Sequence, residues 1–409
     1  MSLPLCVRVM CAWWPAAGSE VPRRRASRTA SLLDVCAQSD RELGLPGEDL
    51  AGVSSARSFV GWYNGLAQHR DDSFGEILAS EAAREVVIIG QGNVAIDCAR
   101  VLCKTVDELR TTDIASHALE ALAASRVERV SVVGRRGHVQ AAFTMKELRE
   151  VTRLAATACV VDPAELARGR TPSSLAEIEA QRARRRADDL LGKVARGEAG
   201  RPADWKDGDR ELRLRFLLNP VAFEAAAGDQ ARVGAVRCQP TRLEGDAGAQ
   251  RAVPDADQEP VALPAGLVLR SIGYRSVPIP GAPFDDAKGT LRQKGGRCLG
   301  DAGDAVPGLY CAGWVKRGPT GIIGTNIPDA KETVRAVVQD WAQRGLGDAQ
   351  ADPAAAVAAA AAARGVSVVS WDGWQRIDAA ERARGSPHGK PREKYARIDE
   401  MLEAAAAQG

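Results

Sequence analysis

Residues 84–103 read REVVIIGQGNVAIDCARVLC. A short apolar run, Val86–Ile89, ends in Gly90-Gln91-Gly92-Asn93-Val94-Ala95, and an apolar helical pattern follows. No other stretch constrains the fold as much. The run reads as a strand, and the turn fits the G-x-G-x-x-G/A pattern of a strand-to-helix phosphate loop. Gly90 permits the tight turn, Gly92 lets the backbone approach a pyrophosphate, and Ala95 lets helix and strand pack closely. The helix N-terminus offers free N–H groups and a partial positive charge to phosphate oxygens. Strand before and helix after are the context such a motif needs, so an α/β nucleotide-binding domain is expected. The competing reading is a merely structural turn.

The nucleotide is chosen at the end of the next strand, in RVERVSVVGRRG (126–137). An NAD site wants an acid there for the ribose hydroxyls. This chain offers Arg135 and Arg136, whose forked guanidiniums suit a 2′-phosphate by charge and geometry. The interval exceeds the usual ~20 residues, because a second helix is expected over 113–125 with Thr112 or Asp113 as its N-cap. The pair therefore favours NADPH over NADH; a solvated arginine pair at a strand end is the alternative.

Two further constellations matter. In GWVKRGPTGIIGTN (313–326) a loop of small residues opens onto a helix, with Trp314 before it and Gly321-Ile322-Ile323 at the turn. Such a loop can lay backbone N–H groups against a flat heteroaromatic ring, or it can be a tight surface loop with a core tryptophan. The run Arg182, Arg184, Arg185, Arg186 lies in a charged stretch read as an exposed helix. Arg182 and Arg186 share a face there at i, i+4. Like charges on one face favour an acidic partner; a solvated face offset by Asp188 and Asp189 is the plainer reading.

Composition narrows the function classes. The formal charge is only +2, so no global field points to nucleic acid or membrane. No apolar run reaches the ~18 residues that span a bilayer. Nine cysteines include no CxxC pair and no zinc spacing, which excludes a disulfide relay and suits buried structural thiols. None of the four histidines stands in a catalytic pattern. No protein acid, base or nucleophile is expected to be catalytic, and no metal ligand set is expected. Hydride transfer between cofactors needs none.

The strings SARSFVGWYNG, VVIIGQGNVAIDCARVL, VSVVGRRGHVQAAFTMKELREV, GLVLRSIGY and PGLYCAGWVKRGPTGIIGTN together resemble the NADPH:adrenodoxin oxidoreductase family of ferredoxin–NADP reductases. The resemblance runs from about residue 38 to 345 and resumes at RGVSVVSWDGWQRIDAAERARG and GKPREK. It implies an α/β chain with two Rossmann-like nucleotide-binding domains and the cofactors FAD and NADP. It also implies hydride transfer from NADPH to FAD, with single electrons passing on to a small acidic [2Fe–2S] ferredoxin. By motif, Gly90, Gln91, Gly92, Asn93 and Val94 match the NADPH pyrophosphate turn, Arg135 and Arg136 the 2′-phosphate pair, and Glu147 another NADP contact. Trp314, Gly321, Ile322 and Ile323 match flavin contacts, with Gly321 also near the nicotinamide. Arg182 and Arg186 resemble the ferredoxin-docking face. The family also implies the mitochondrial matrix, peripheral to the inner membrane.

The family begins with an FAD-binding turn, GxGPAG, that is not found here, so the FAD domain is expected to be incomplete at its N-terminal part. The expected division is a leader without structure at 1–37, a residual FAD-domain segment at 38–61, an NADP domain at 62–290, and the rest of the FAD domain at 291–409. The Arg-rich, acid-poor leader suits a transit peptide or a non-native extension. An inactive NADP-binding fragment is the alternative function. A glutamate synthase small-subunit type is opposed by the strings GWVKRGPTG and GRRGHVQAAFTMKE.

Overall fold

Along Val86–Ile89 alternate side chains go to opposite faces of a sheet. Val86 and Ile88 enter one core, and Val87 and Ile89 enter another. That is why the run is apolar at every position: a parallel strand is covered on both sides. The computed structural model describes residues 8–10, 31–34, 39–206, 209–321, 323–344 and 353–407. The chain divides into two units, one of Glu42–Ile272 with Val369–Gly409 and one of Met1–Arg41 with Gly273–Val368.

The larger unit is built on a sheet of six parallel strands: β1 (Val53–Ser55), β2 (Glu85–Ile89), β3 (Arg129–Val133), β4 (Ala158–Val161), β5 (Glu211–Arg215) and β6 (Leu267–Arg270). Their order is β1-β6-β2-β3-β5-β4. The chain leaves β2 for β3 on one side and returns from β5 to β6 on the other. The topological switch, where open α/β sheets bind ligands, therefore lies at the carboxyl end of β2.

One face of this sheet is covered by helices: α1 (Ala56–Tyr63), α2 (Asn93–Cys103), α3 (Met145–Val151) and α4 (Arg182–Ala195), which contribute Phe59, Trp62, Ile96, Leu102, Leu148 and Leu191 to the core. Ser55 starts α1 by accepting from the Ser58 N–H at 3.0 Å. Phe59 then stacks on Trp62 at 5.7 Å and meets Phe74 edge-on at 5.3 Å. The other face is covered by antiparallel strands: Asp229–Glu244 pairs with Leu218–Ala226, Arg251–Pro254 and Val261–Pro264. Phe223, Val233, Val236 and Leu263 fill that second core. A β-layer thus replaces the second helical layer of a doubly wound fold.

The smaller unit holds a five-stranded sheet of Arg8–Met10, Ser31–Asp34, β7 (Ala305–Ala312), Arg297–Leu299 and Gln293–Lys294, in that order. The first two pairings are parallel and the others antiparallel. Helix α5 (Asn326–Arg344) is tied to this sheet through Asp340, which accepts from the Tyr310 hydroxyl and from Arg297 at 2.9 Å.

Four boundaries differ from the sequence expectation. Residues 273–290, expected in the NADP domain, belong to the smaller unit. The leader is not wholly without structure, because Arg8–Met10 and Ser31–Asp34 pair into the smaller unit's sheet; residues 1–7, 11–30 and 35–38 lie outside the described residues. Residues 42–61, expected in a residual FAD segment, belong to the larger unit, since β1 pairs with β6 and Phe59 is in its core. The C-terminal tail, expected in the FAD domain, also joins the larger unit. There the Lys390 Nζ donates to the Ile114 carbonyl at 2.7 Å, and Glu393 accepts from the Ser116 N–H at 3.2 Å.

The helix expected over 113–125 is shorter, Ser116–Ala123, with no side-chain cap. Thr112 instead donates to the Leu109 carbonyl at 2.7 Å, closing the turn before it. The capping box belongs upstream, to Thr105 and Glu108. The cysteines among the described residues are all buried, and burial pushes the Cys103 and Cys159 thiols up to about 12. Among the described residues no helix is long and apolar enough to cross a membrane.

Phe59 is fully buried among aromatic partners. Phe59→Ala is expected to destabilise the larger unit by about 3–5 kcal/mol, the usual cost of emptying a core aromatic site. Urea unfolding followed by tryptophan fluorescence reads it, and a loss below about 1 kcal/mol would contradict this packing.

Candidate functional site

The glycine turn lies at the switch point. Gly90 has φ +119°, and a Cβ there would meet the Ser271 carbonyl oxygen at 2.1 Å. Only glycine fits. Gly92 differs: it precedes α2 in an extended conformation, and a Cβ would meet nothing within 4 Å. The space before the helix is open, and no side chain caps α2. The first N–H groups of α2 thus face a cradle of the kind a pyrophosphate fills.

Two hooks hold this turn. The Gln91 Nε2 donates to the Arg215 carbonyl at 2.7 Å, and its side chain lies over Gly134, where a Cβ would come within 2.4 Å of it. The Asn93 side chain accepts from the Thr144 N–H at 2.9 Å, which joins the turn to the start of α3. Thr144 is the N-cap of α3, and its hydroxyl bonds the Glu147 carboxylate. Glu147 is therefore carried on the first turn of α3, one hydrogen bond from the residue that Asn93 holds.

Arg135 and Arg136 follow β3. Both side chains are exposed, and among the described residues neither guanidinium has a protein partner. Their backbone is fixed: the Thr241 hydroxyl donates to the Arg135 carbonyl at 2.6 Å, and the Leu217 N–H donates to the Arg136 carbonyl at 3.1 Å. Leu217 has φ +57°, the one positive value outside glycine among the described residues. That residue breaks the apolar run after β5 so that both strands can brace the arginines.

Arg182 and Arg186 are exposed on α4, and among the described residues neither has a partner. Their neighbours are engaged: Arg184 pairs with the buried Glu177, and Arg185 donates to the Glu179 carbonyl at 2.6 Å. Asp188 does not offset the face as expected, because it turns to His138 at 2.8 Å and Arg170 at 2.9 Å. Burial raises the Asp188 pKa, but these two partners outweigh it and hold the carboxyl below its usual range. Four arginines at a helix N-terminus also oppose the helix dipole.

In the smaller unit, Trp314 is half-buried and stacked on Tyr274 at 5.6 Å. Gly313 donates its N–H to Asp329 at 2.6 Å. The buried Lys316 amine reaches Asp329 at 3.0 Å, Glu332 at 2.7 Å and the Thr333 hydroxyl at 3.0 Å. These contacts fasten the tryptophan turn to the first turns of α5. Gly321 is exposed with φ +90°, and a Cβ there would meet the Thr325 hydroxyl oxygen at 2.6 Å. Ile322 lies outside the described residues, and Ile323 begins a short 3-10 turn.

A scan of protein-family models finds none that matches this chain. Individual proteins do. The mitochondrial NADPH:adrenodoxin oxidoreductase of Salvelinus fontinalis is 43% identical over 383 residues, which are 92% of this chain and 73% of the relative. The human enzyme of that name is 42% identical over 400 residues, 96% of this chain and 78% of the relative. NADPH-ferredoxin reductase FprA of Mycobacterium tuberculosis is 41% identical over 382 residues, 91% of this chain and 77% of the relative. A solved structure of that FprA with NADPH superposes with a TM-score of 0.79 at 39% identity, covering 92% of this chain and 79% of its own.

The chain belongs to the NADPH:adrenodoxin oxidoreductase family. It is an oxidoreductase of that type, and its relatives are reductases of ferredoxin or adrenodoxin by name. Mitochondrial relatives stand beside a bacterial one of similar identity, so membership of the family does not fix the compartment.

The sequence names the turn and the arginines as candidates but not their supports. The Gln91 and Asn93 hooks reach 124 and 51 residues along the chain. Neither has a local signal. The pairing of His138 with Asp188, 50 residues apart, was equally invisible.

Gly92 and Gly90 separate binding from folding. Gly92→Ala is expected to cost about 1 kcal/mol of stability or less while weakening NADP+ binding by at least about tenfold. Gly90→Ala should fail in stability first. Calorimetric titration of NADP+ with thermal unfolding as the control checks both, and undiminished binding to Gly92→Ala would move the pyrophosphate elsewhere.

Proposed function

We propose that this chain is an FAD-dependent reductase that takes electrons from NADPH and delivers them singly to an acidic [2Fe–2S] ferredoxin. The observation that carries the reading is the pair of guanidiniums, Arg135 and Arg136, unpartnered among the described residues, on a braced backbone after β3, the strand beside β2 and its open glycine turn. The reading assigns the pyrophosphate to Gly90–Val94 and α2, and the 2′-phosphate to the two arginines. Glu147 is assigned a further polar contact to the same nucleotide.

The residues of the smaller unit fit the ring end of a flavin. Trp314 supplies an aromatic wall and Gly321 an exposed backbone, and by their motif match alone Ile322 and Ile323 are assigned to the same ring. Lys316 and Asp329 hold the loop to α5, so the rest for the ring is organised before any ring arrives. When bound, the two cofactors together supply hydride transfer and single-electron release. The protein's own part is to bind, orient and exclude water, which agrees with the lack of any acid–base pair in the reading.

Arg182 and Arg186 would meet the ferredoxin. Asp188 is turned away from them, leaving Asp189 as the acid of that pair still exposed on the helix, and a cationic helix end steers an acidic protein at low salt. Arg182→Glu with Arg186→Glu is expected to raise KM for ferredoxin, flatten its salt dependence and leave KM for NADPH unchanged. Equal salt dependence in wild type and variant would remove the face from the docking surface.

The central test is Arg135→Glu with Arg136→Glu, titrated with 2′,5′-ADP and 5′-AMP. Loss of two charge-assisted contacts should weaken 2′,5′-ADP by about a hundredfold or more, with 5′-AMP nearly unaffected. A preserved preference for 2′,5′-ADP would overturn the reading. A purified protein without flavin absorbance would favour an NADP-binding chain that does not turn over.

A further inference from the structure

We propose that His138 is a positioning residue for recognition of the 2′-phosphate, acting through Asp188 of α4. The inference rests on the reading of Arg135 and Arg136 above. His138 lies two residues after Arg136 and opens a short 3-10 turn, His138–Gln140. It is 3% exposed, and its Nε2 meets the Asp188 Oδ1 at 2.8 Å. Arg170 closes the other side of the carboxylate, with contacts of 2.9 and 3.1 Å to its two oxygens. The pair therefore joins the segment after the arginines to the helix that carries Arg182 and Arg186.

The imidazole is held by its surroundings. The Phe216 ring packs against it edge-on at 5.8 Å. Gly169 leaves room for it, since a Cβ there would lie 3.0 Å from the His138 Nδ1. Phe216 follows Arg215, whose carbonyl accepts from Gln91 at 2.7 Å and from the Gly134 N–H at 3.0 Å. His138 thus touches both the strand end that fixes the glycine turn and the helix beyond it.

The arginine segment is pinned at its carbonyls by Thr241 and Leu217 on one side, and by His138 on the other. Two adjacent guanidiniums repel each other, and a backbone fixed on both sides keeps them converging on one phosphate. One further feature argues against mere space-filling. Among the described residues the His138 Nδ1 is buried without a partner. An apolar ring of that size would avoid this cost, so the retained nitrogen on the far side is the useful one.

The test uses the full chain and two ligands, 2′,5′-ADP and 5′-AMP, titrated by calorimetry with thermal unfolding as a control. His138→Ala is expected to weaken 2′,5′-ADP on the order of tenfold, the size of one charge-assisted hydrogen bond, and to leave 5′-AMP unchanged. His138→Gln, whose amide N–H can reach Asp188, should restore most of the loss. Asp188→Asn approaches the same contact from the helix and should lose selectivity in the same direction, so the result does not hang on the folding of one variant. Equal weakening of both ligands would mark His138 as structural only and overturn the inference. So would full selectivity in folded variants while the wild type discriminates. A wild type that does not discriminate would instead bring down the arginine reading, and this inference with it.

Discussion

The close approach of Gly90 to the Ser271 carbonyl is the constraint on which the rest of the larger unit depends. A strand in the middle of a parallel sheet must turn at once into a helix, while the neighbouring strand β6 ends beside it. A Cβ at residue 90 would meet that neighbour's chain at 2.1 Å. With glycine there, the turn closes, α2 begins with uncapped N–H groups, and the switch point of the sheet stays open to a ligand. The apolar strand secures the geometry from below. Its side chains alternate between a helical layer and a β-layer, so it is buried on both faces.

Around this turn the polar contacts form a frame of backbone carbonyls. The Arg215 carbonyl takes Gln91 and Gly134, the Arg136 carbonyl takes Leu217, and the Arg135 carbonyl takes Thr241. Glu165, nearly fully buried, grips the Arg215 side chain and the Phe216 N–H at 2.8 and 2.7 Å. A buried carboxylate needs such partners, and here they fix the strand end that holds the glycine turn. Above this frame the Arg135 and Arg136 guanidiniums are exposed, without a protein partner among the described residues.

What was legible in the sequence was local. Val86–Ile89, the glycine spacing, the arginine pair and the Trp314 loop each declare themselves within a dozen residues, through period, turn chemistry and charge. What was illegible was either distant or competitive. The helix expected at residue 113 begins at Ser116 because the Thr112 hydroxyl closes the preceding turn. Strand β5 and the strand Leu218–Ala226 are separated at Leu217, whose left-handed backbone no propensity announces. Asp188 reads as a counter-charge to its arginine neighbours, yet it faces His138 and Arg170 across the helix.

By itself the sequence determined the class of protein, through motif strings that belong to one reductase family. These are short patterns set by residue type and spacing. Only the tertiary structure decided which segments make up each unit, with the C-terminal GKPREK stretch joining the larger unit through Lys390 and Glu393. It also decided which charges remain free and which are spent on bracing the fold. The physical reason is that hydrogen bonds and ion pairs between residues far apart in sequence exist only after the sheet has ordered its strands. Nothing in a local window reports the partner a side chain will find.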